Sequence, residues 1–243
     1  MKKYILASLL FCMTVVGYAQ GFSSFSAEGS LQPATIKNVI NGFSTIEVIV
    51  GEKTDLKNVD FHYRLLSGCS LSKELSKDFS QPQKVTITKS NGDSKEWLIF
   101  IKKLRPAPLP VELVFSETNP SVWTPETIGW AGNGVDTEKS TVIRFGNKGV
   151  SFWVSFDKPA TKVDYQLKMV SKEKVDFDGD FLVETSADGR KWNILAEFDE
   201  NNKLTMDGNY RHGISKDVRF IRWTYVTRNK LNLNLNNIYV TAE

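Results

Sequence analysis

The chain has 243 residues, a length that suits one or two domains. Its 41% apolar and 24% charged residues make a globular composition, not a disordered one. With 31 basic against 28 acidic residues the formal charge is only +3, too small an excess to neutralise a nucleic-acid backbone. Two His and two Cys also argue against a zinc site built from those ligands and against a disulfide scaffold.

Residues 1–19, MKKYILASLLFCMTVVGYA, have the form of a secretory leader. Lys2 and Lys3 supply the positive end, Tyr4 to Val16 the apolar stretch, and Gly17 and Ala19 the small residues before a cleavage point at Gln20. The apolar run is too short to span about 30 Å of hydrocarbon, so the expectation is export with cleavage and no transmembrane segment in the mature chain. A lipoprotein reading would use Cys12, but bulky Phe11 precedes it where a small residue is expected. Cleavage leaves Cys69 as a lone thiol, and the mature fold must then be held by burial. The destination is the periplasm, the cell surface or the exterior.

Beyond the leader the pattern is strand-like. IEVIV (46–50) puts Ile46, Val48 and Val50 on one face, and KVTIT (84–88) does the same with Val85 and Ile87. SNGD (90–93) predicts a tight hairpin, because Asn-Gly tolerates the positive φ of a type I′ turn, and KEWLIFIKK is its return strand. Residues 20–104 therefore read as a small antiparallel sandwich closed by a hairpin. LRPAPLP (104–110) carries three prolines in five positions and reads as a semi-rigid extended spacer, placing a linker at 105–110. Strands resume with GVSFWVSF (149–156), KVDYQLKMV (162–170), GDFLVETS (179–186), NILAEF (193–198), VRFIRWTYV (218–226) and NLNLNNIYV (232–240). Many short strands between turn signals predict an all-β sandwich or jelly roll over 111–243. SLSKELSKDFS (70–80) is the nearest approach to a helical period.

The second half resembles the galactose-binding-like, discoidin-type β-sandwich modules of exported bacterial proteins. The resemblance lies in FLVETSADGRKW (181–192), VRFIRW (218–223) and the closing LNLNNIYV (233–240), in that order. Residues 20–104 more loosely resemble bacterial immunoglobulin-like modules, through TDLKNV (54–59), DFSQP (78–82) and the terminal hairpin. The resemblance implies two β-sandwich domains, an immunoglobulin-like spacer followed by a galactose-binding-like jelly roll that binds carbohydrate without catalysis through loops at one end. It also implies that a structural calcium ion is common in such modules, with no ligand set assignable here. DFDGD (176–180) brings three carboxylates around a glycine, but reads better as a solvated hairpin turn.

Five of the six Trp fall in the second half. Trp192 and Trp223 sit in framework motifs and read as core, whereas Trp153 points opposite to the apolar face of its strand, which puts it on the second face, under a loop or at a domain contact. Trp123 and Trp130 lie in a segment rich in Pro, Gly and Asn (119–138), where each is either a plug over the sandwich end or a platform for a sugar face. NYRHG (209–213) reads as a second polar-aromatic loop, with Tyr210, Arg211 and His212 as candidate contacts. Arg144 and Arg222 are internal to strands, where Arg pairs with a carboxylate or reaches a pocket; Arg144 joins the candidate set.

No residue pattern resembles a hydrolase active-site strand, and neither His62 nor His212 lies in a catalytic motif. The expected function is non-catalytic binding of a glycan or polysaccharide. The alternatives are an adhesion or assembly protein contacting another surface protein and, less favoured, a glycosidase of unrecognised type acting through two carboxylates.

Overall fold

The structure is a computed structural model and describes residues 20–113, 128–131, 135–136, 142–171, 173 and 175–242. The chain is all-β, and among the described residues there is no helix; residues 70–80 form a short strand and bends. Each stretch of alternating apolar residues named above is a strand.

The first half is two sheets around one core. β1 (Phe22–Ala27) pairs antiparallel with β4 (Phe61–Leu65). Facing them is a five-stranded sheet of β2 (Thr35–Lys37), β3 (Ser44–Val50), β7 (Ser94–Lys103), β6 (Gln83–Lys89) and β5 (Cys69–Leu71), adjacent in that order. The hairpin between β6 and β7 turns at Gly92, whose φ of 92° needs a residue without Cβ strain. The expected purely antiparallel arrangement is not found, because β3 runs parallel to β7, with Ser44 opposite Trp97 and Val50 opposite Lys103. That pairing arises because β3 and β7 are joined through the long excursion over β4–β6, not by a tight turn. Trp97, fully buried, fills the core with Phe22, Phe25, Phe79 and Ile46.

The second half is a sandwich of two antiparallel sheets. Sheet I runs β10 (Val135–Asp136), β11 (Ile143–Phe145), β18 (Asn232–Thr241), β13 (Lys162–Val170), β16 (Asp207–Gly213), with β8 (Val111–Leu113) beside β11 along the same edge of β18. Sheet II runs β15 (Asn193–Phe198), β14 (Asp180–Ser186), β17 (Phe220–Thr227), β12 (Val150–Ser155), β9 (Ile128–Ala131). Their inner faces interdigitate Phe145, Phe152, Phe181, Trp223, Tyr225 and Tyr165. The SADGRK turn between β14 and β15 is fixed by its own side chains. Ser186 Oγ accepts from the Gly189 amide at 2.9 Å, and Asp188 Oδ1 accepts from those of Arg190 and Lys191 at 2.8 and 3.0 Å. The backbone hydrogen bonds hold the Asp188 carboxyl below the usual range. Gly179, in DFDGD, runs so close to β17 that a Cβ would press on the Thr227 carbonyl, which accounts for the glycine without a metal. Asp176 of that segment pairs with Lys203 at 3.1 Å.

The proline segment does not stand free as a spacer. The Ala107 amide donates to the Ser155 carbonyl at 2.8 Å, its carbonyl accepts from the Asp157 amide at 3.0 Å, and the Leu109 amide donates to Asp157 Oδ1 at 3.0 Å. Ala107 and Leu109 are buried in the second core. Above this seam Ile49 and Leu104 of the first half meet Trp153 and Phe220 of the second, with Leu31 and Trp192 packed at the margin. Trp153 thus lies at a contact between the halves, on the outer face of sheet II, and only 4% of it is exposed. Arg219 Nη2 donates to Glu52 Oε1 at 2.9 Å beside it.

Candidate functional site

The first half covers part of sheet II and leaves the outer face of sheet I uncovered by it. On β13, Val163, Tyr165, Leu167 and Met169 point to the core, so Lys162, Asp164, Gln166 and Lys168 point outward. On β18 the repeat Asn-Leu-Asn-Leu-Asn sends Leu233 and Leu235 inward and Asn232, Asn234 and Asn236 outward, with Tyr239 further along. Registers place Arg211, Asp164, Tyr239 and Glu112 in one row across the sheet. Asn209, Gln166 and Asn236 form the next, and Asp207, Lys168, Asn234 and Arg144 the one after. A bulge opposite the Asp164–Gln166 step puts Asn237 at φ 49°, a conformation Asn tolerates, and turns its amide onto this face.

The side chains of the face hold one another in place. Arg211 Nε donates to Asp164 Oδ1 at 2.6 Å, and Lys162 Nζ lies 3.4 Å from Asp164 Oδ2. Burial pushes the Asp164 carboxyl up, but the bonds from Arg211 and Lys162 outweigh it and hold the group below the ordinary carboxylate range. Gln166 Nε2 donates to Asp207 Oδ1 at 2.8 Å while Gln166 Oε1 accepts from Asn237 Nδ2 at 3.2 Å. Lys168 Nζ lies 3.3 Å from Asp207 Oδ2. Two amide oxygens, Asn234 Oδ1 and Asn236 Oδ1, are shielded from solvent and have no donor among the described residues. Tyr239 is 39% exposed, with the Lys162 ammonium 5.9 Å from its ring centre.

Of the residues singled out from sequence, Arg144 and Arg211 belong to this face. They stand at opposite corners, roughly 20 Å apart by strand spacing and rise. NYRHG is not a loop but the outer half of β16. Its alternation sends Tyr210 and His212 under the face, toward the core, and Arg211 outward. Tyr210 packs against Tyr165 and Phe198, with ring centres at 5.6 and 4.7 Å. His212 Nε2 sits 3.0 Å from the Tyr165 hydroxyl. Burial pushes the His212 imidazolium down and the Tyr165 phenol far up. Trp123 lies outside the described residues. Trp130 is in β9 with its backbone opposite Phe152.

Arg222 makes a different site on the outer face of sheet II. Its Nε and Nη2 donate to the two oxygens of buried Glu184 at 2.8 and 2.7 Å, Thr224 Oγ1 donates to Glu184 Oε2 at 2.7 Å, and the guanidinium lies 4.1 Å from the Trp192 ring centre. This group braces β14 to β17 next to the contact between the halves. Among the described residues no cluster of three or more His, Cys, Asp or Glu gathers as for a metal ion, and no helix is long and apolar enough to cross a membrane.

No protein-family model matches the chain, and no curated protein matches it in sequence. Among solved structures it is similar to a candidate glycoside hydrolase from Bacteroides thetaiotaomicron, at 11% identity and a TM-score of 0.45, over 93% of this chain and 98% of that one. It is also similar to a cleaved adhesin domain of Lys-gingipain from Porphyromonas gingivalis W83, at 11% identity and a TM-score of 0.39, over 55% and 98% of the two chains. A family 29 carbohydrate-binding module follows at 8% identity and a TM-score of 0.35, over 54% and 91%.

Proposed function

We propose that the chain is an exported, non-catalytic glycan-binding protein that recognises its ligand on the outer face of sheet I. The observation that carries this reading is an exposed aromatic, Tyr239, set beside rows of amide and ion-paired side chains whose orientations are already fixed by mutual hydrogen bonds. A sugar presents a C–H face that packs on such a ring and a rim of hydroxyls that both donate and accept. Amides and guanidinium groups held in place lose little rotamer freedom on binding. Asp164 is held ionised between two cations, a state suited to accepting from a hydroxyl and unsuited to the raised carboxyl of a glycosidic general acid.

A glycan array with the full chain, beside Tyr239→Ala and Asn236→Ala variants, tests the reading. Both variants should keep the fold and weaken binding to the same glycans by about tenfold. Glycan binding untouched by these changes but lost in a Trp123→Ala, Trp130→Ala variant would move recognition to the 119–138 segment. Absence of binding across the array would favour a protein ligand for the face.

A further inference from the structure

The segment between β2 and β3 ends in a loop, residues 38–43, that exposes three large apolar side chains. Ile40 is 97% exposed, Phe43 43% and Val39 39%. Among the described residues Ile40 packs on no part of either core. The loop is held in this form. Asn38 Oδ1 accepts from Lys95 Nζ at 2.6 Å and from Ser44 Oγ at 3.2 Å, and Lys95 also donates to the Val39 carbonyl. Lysines surround the apolar tip. Lys84 Nζ lies 4.7 Å from the Phe43 ring centre, Lys95 grips the loop, and Lys37 closes β2 just before it. The acid among them is Glu96, paired with Lys84 at 2.5 Å, so the tip carries a net positive charge.

β3 starts at Ser44, beside the loop, and ends at Val50, beside the contact with the second half, so the tip lies at the far end of the first half. Gln20 is there too, its carbonyl accepting from Asn38 Nδ2 at 3.3 Å.

We propose that this loop seats the protein on an anionic lipid surface, with Val39, Ile40 and Phe43 entering the boundary between headgroups and acyl chains and Lys37, Lys84 and Lys95 facing lipid phosphates. Apolar side chains projecting from a basic rim fit that boundary, and each lysine near an anionic surface adds attraction. A protein partner fits less well. A stable protein interface covers about 800 Å² per side, and a convex tip of three side chains offers far less, whereas a fluid bilayer closes around it.

The test is co-sedimentation of the mature chain, starting at Gln20, with vesicles of phosphatidylglycerol and phosphatidylethanolamine, against vesicles of phosphatidylcholine alone. The chain should pellet with the former, and added salt should release it. Ile40→Asp, at a site without packing, should abolish pelleting with an unchanged near-ultraviolet dichroism spectrum. Lys37→Gln should weaken it about fivefold. A chain that stays in solution with both vesicles overturns the proposal. So does pelleting that survives Ile40→Asp, because some other part of the chain then holds the lipid. Capture of a protein by a crosslinker at position 40, without vesicle binding, overturns it in favour of a protein partner.

Discussion

Trp153→Ala removes the largest fully packed side chain of the contact between the two halves, Trp192 lying only at its margin. An indole buries about 200 Å², which at 25 cal/mol per Å² is about 5 kcal/mol. Residual burial in the unfolded chain brings this to about 4 kcal/mol, the range found for Trp→Ala in cores. The indole's neighbours are Ile49 and Leu104 from the first half and Phe220 from its own, so roughly 2 kcal/mol of the loss is coupling across the contact. The Arg219–Glu52 pair, with side chains 33% and 37% exposed, adds at most about 1 kcal/mol. The apolar cluster therefore dominates. By differential scanning calorimetry the native chain should unfold in one transition. Trp153→Ala should lower the midpoint by about 10 °C and split the trace in two, while Glu52→Gln should leave one transition near its original place. Two separate transitions in the native chain, with Trp153→Ala moving just one of them, would refute the argument.

Two other perturbations follow from the packing. Arg222→Met strands the Glu184 carboxylate with only Thr224 to serve it and should cost about 3 kcal/mol, whereas Arg222→Met with Glu184→Leu should recover most of that loss; denaturant titrations of the three chains check it, and equal losses in single and double variants would contradict the bracing role. For His212, whose folded pKa is depressed by burial, the unfolded chain takes up a proton below about pH 6.5 that the folded chain does not. Stability should thus fall as pH drops from about 6.5 toward the folded value and then level off. His212→Gln should flatten that step without touching the separate loss that begins below about pH 4, where the Asp164 carboxyl takes up a proton in the unfolded chain but resists it in the fold.

The strands were readable because one face of each is buried, and period-two alternation records that directly: KVDYQLKMV is β13 from its first residue to its last. The same rule applies at NYRHG, where residue chemistry masks it. Tyr210 and His212 alternate with Asn209 and Arg211, but aromatic and basic neighbours resemble loop chemistry, and only contact with Tyr165 and Phe198 shows which face is the core. Trp153 announced itself by breaking the apolar face of β12, yet its partners Ile49 and Leu104 lie about a hundred and about fifty residues earlier in the chain. The sheet I face was scattered in the same way. Gln166, Asn209 and Asn236 share a row only through register, and register depends on which strands pair. Asn-Leu-Asn-Leu-Asn in β18 was the one local signal, since alternation with Leu already puts three amides on a single face. The expected parallel-free first half failed for a related reason, because hairpin chemistry at SNGD says nothing about the partner on the other side of β7.

The two proposed surfaces lie on opposite sides of the contact between the halves, and the packing between them determines whether that matters. The loop at 38–43 precedes β3, whose seven residues span about 20 Å. β3 delivers Ile49 to the contact with Trp153 on the outer face of sheet II, and sheet I lies about 10 Å beyond, across the core. A flexible proline spacer would let the second half fold back, so that the Tyr239 face met the surface on which the loop rests. Here Ala107 and Leu109 are hydrogen-bonded into the second sandwich, and the buried indole fixes the angle of the first half against sheet II. The Tyr239 face and the apolar tip are thereby held apart, on opposite sides of the contact. Coupling of the halves is in this view a condition of the proposed function: a Trp153→Ala chain would keep both surfaces and lose their fixed opposition.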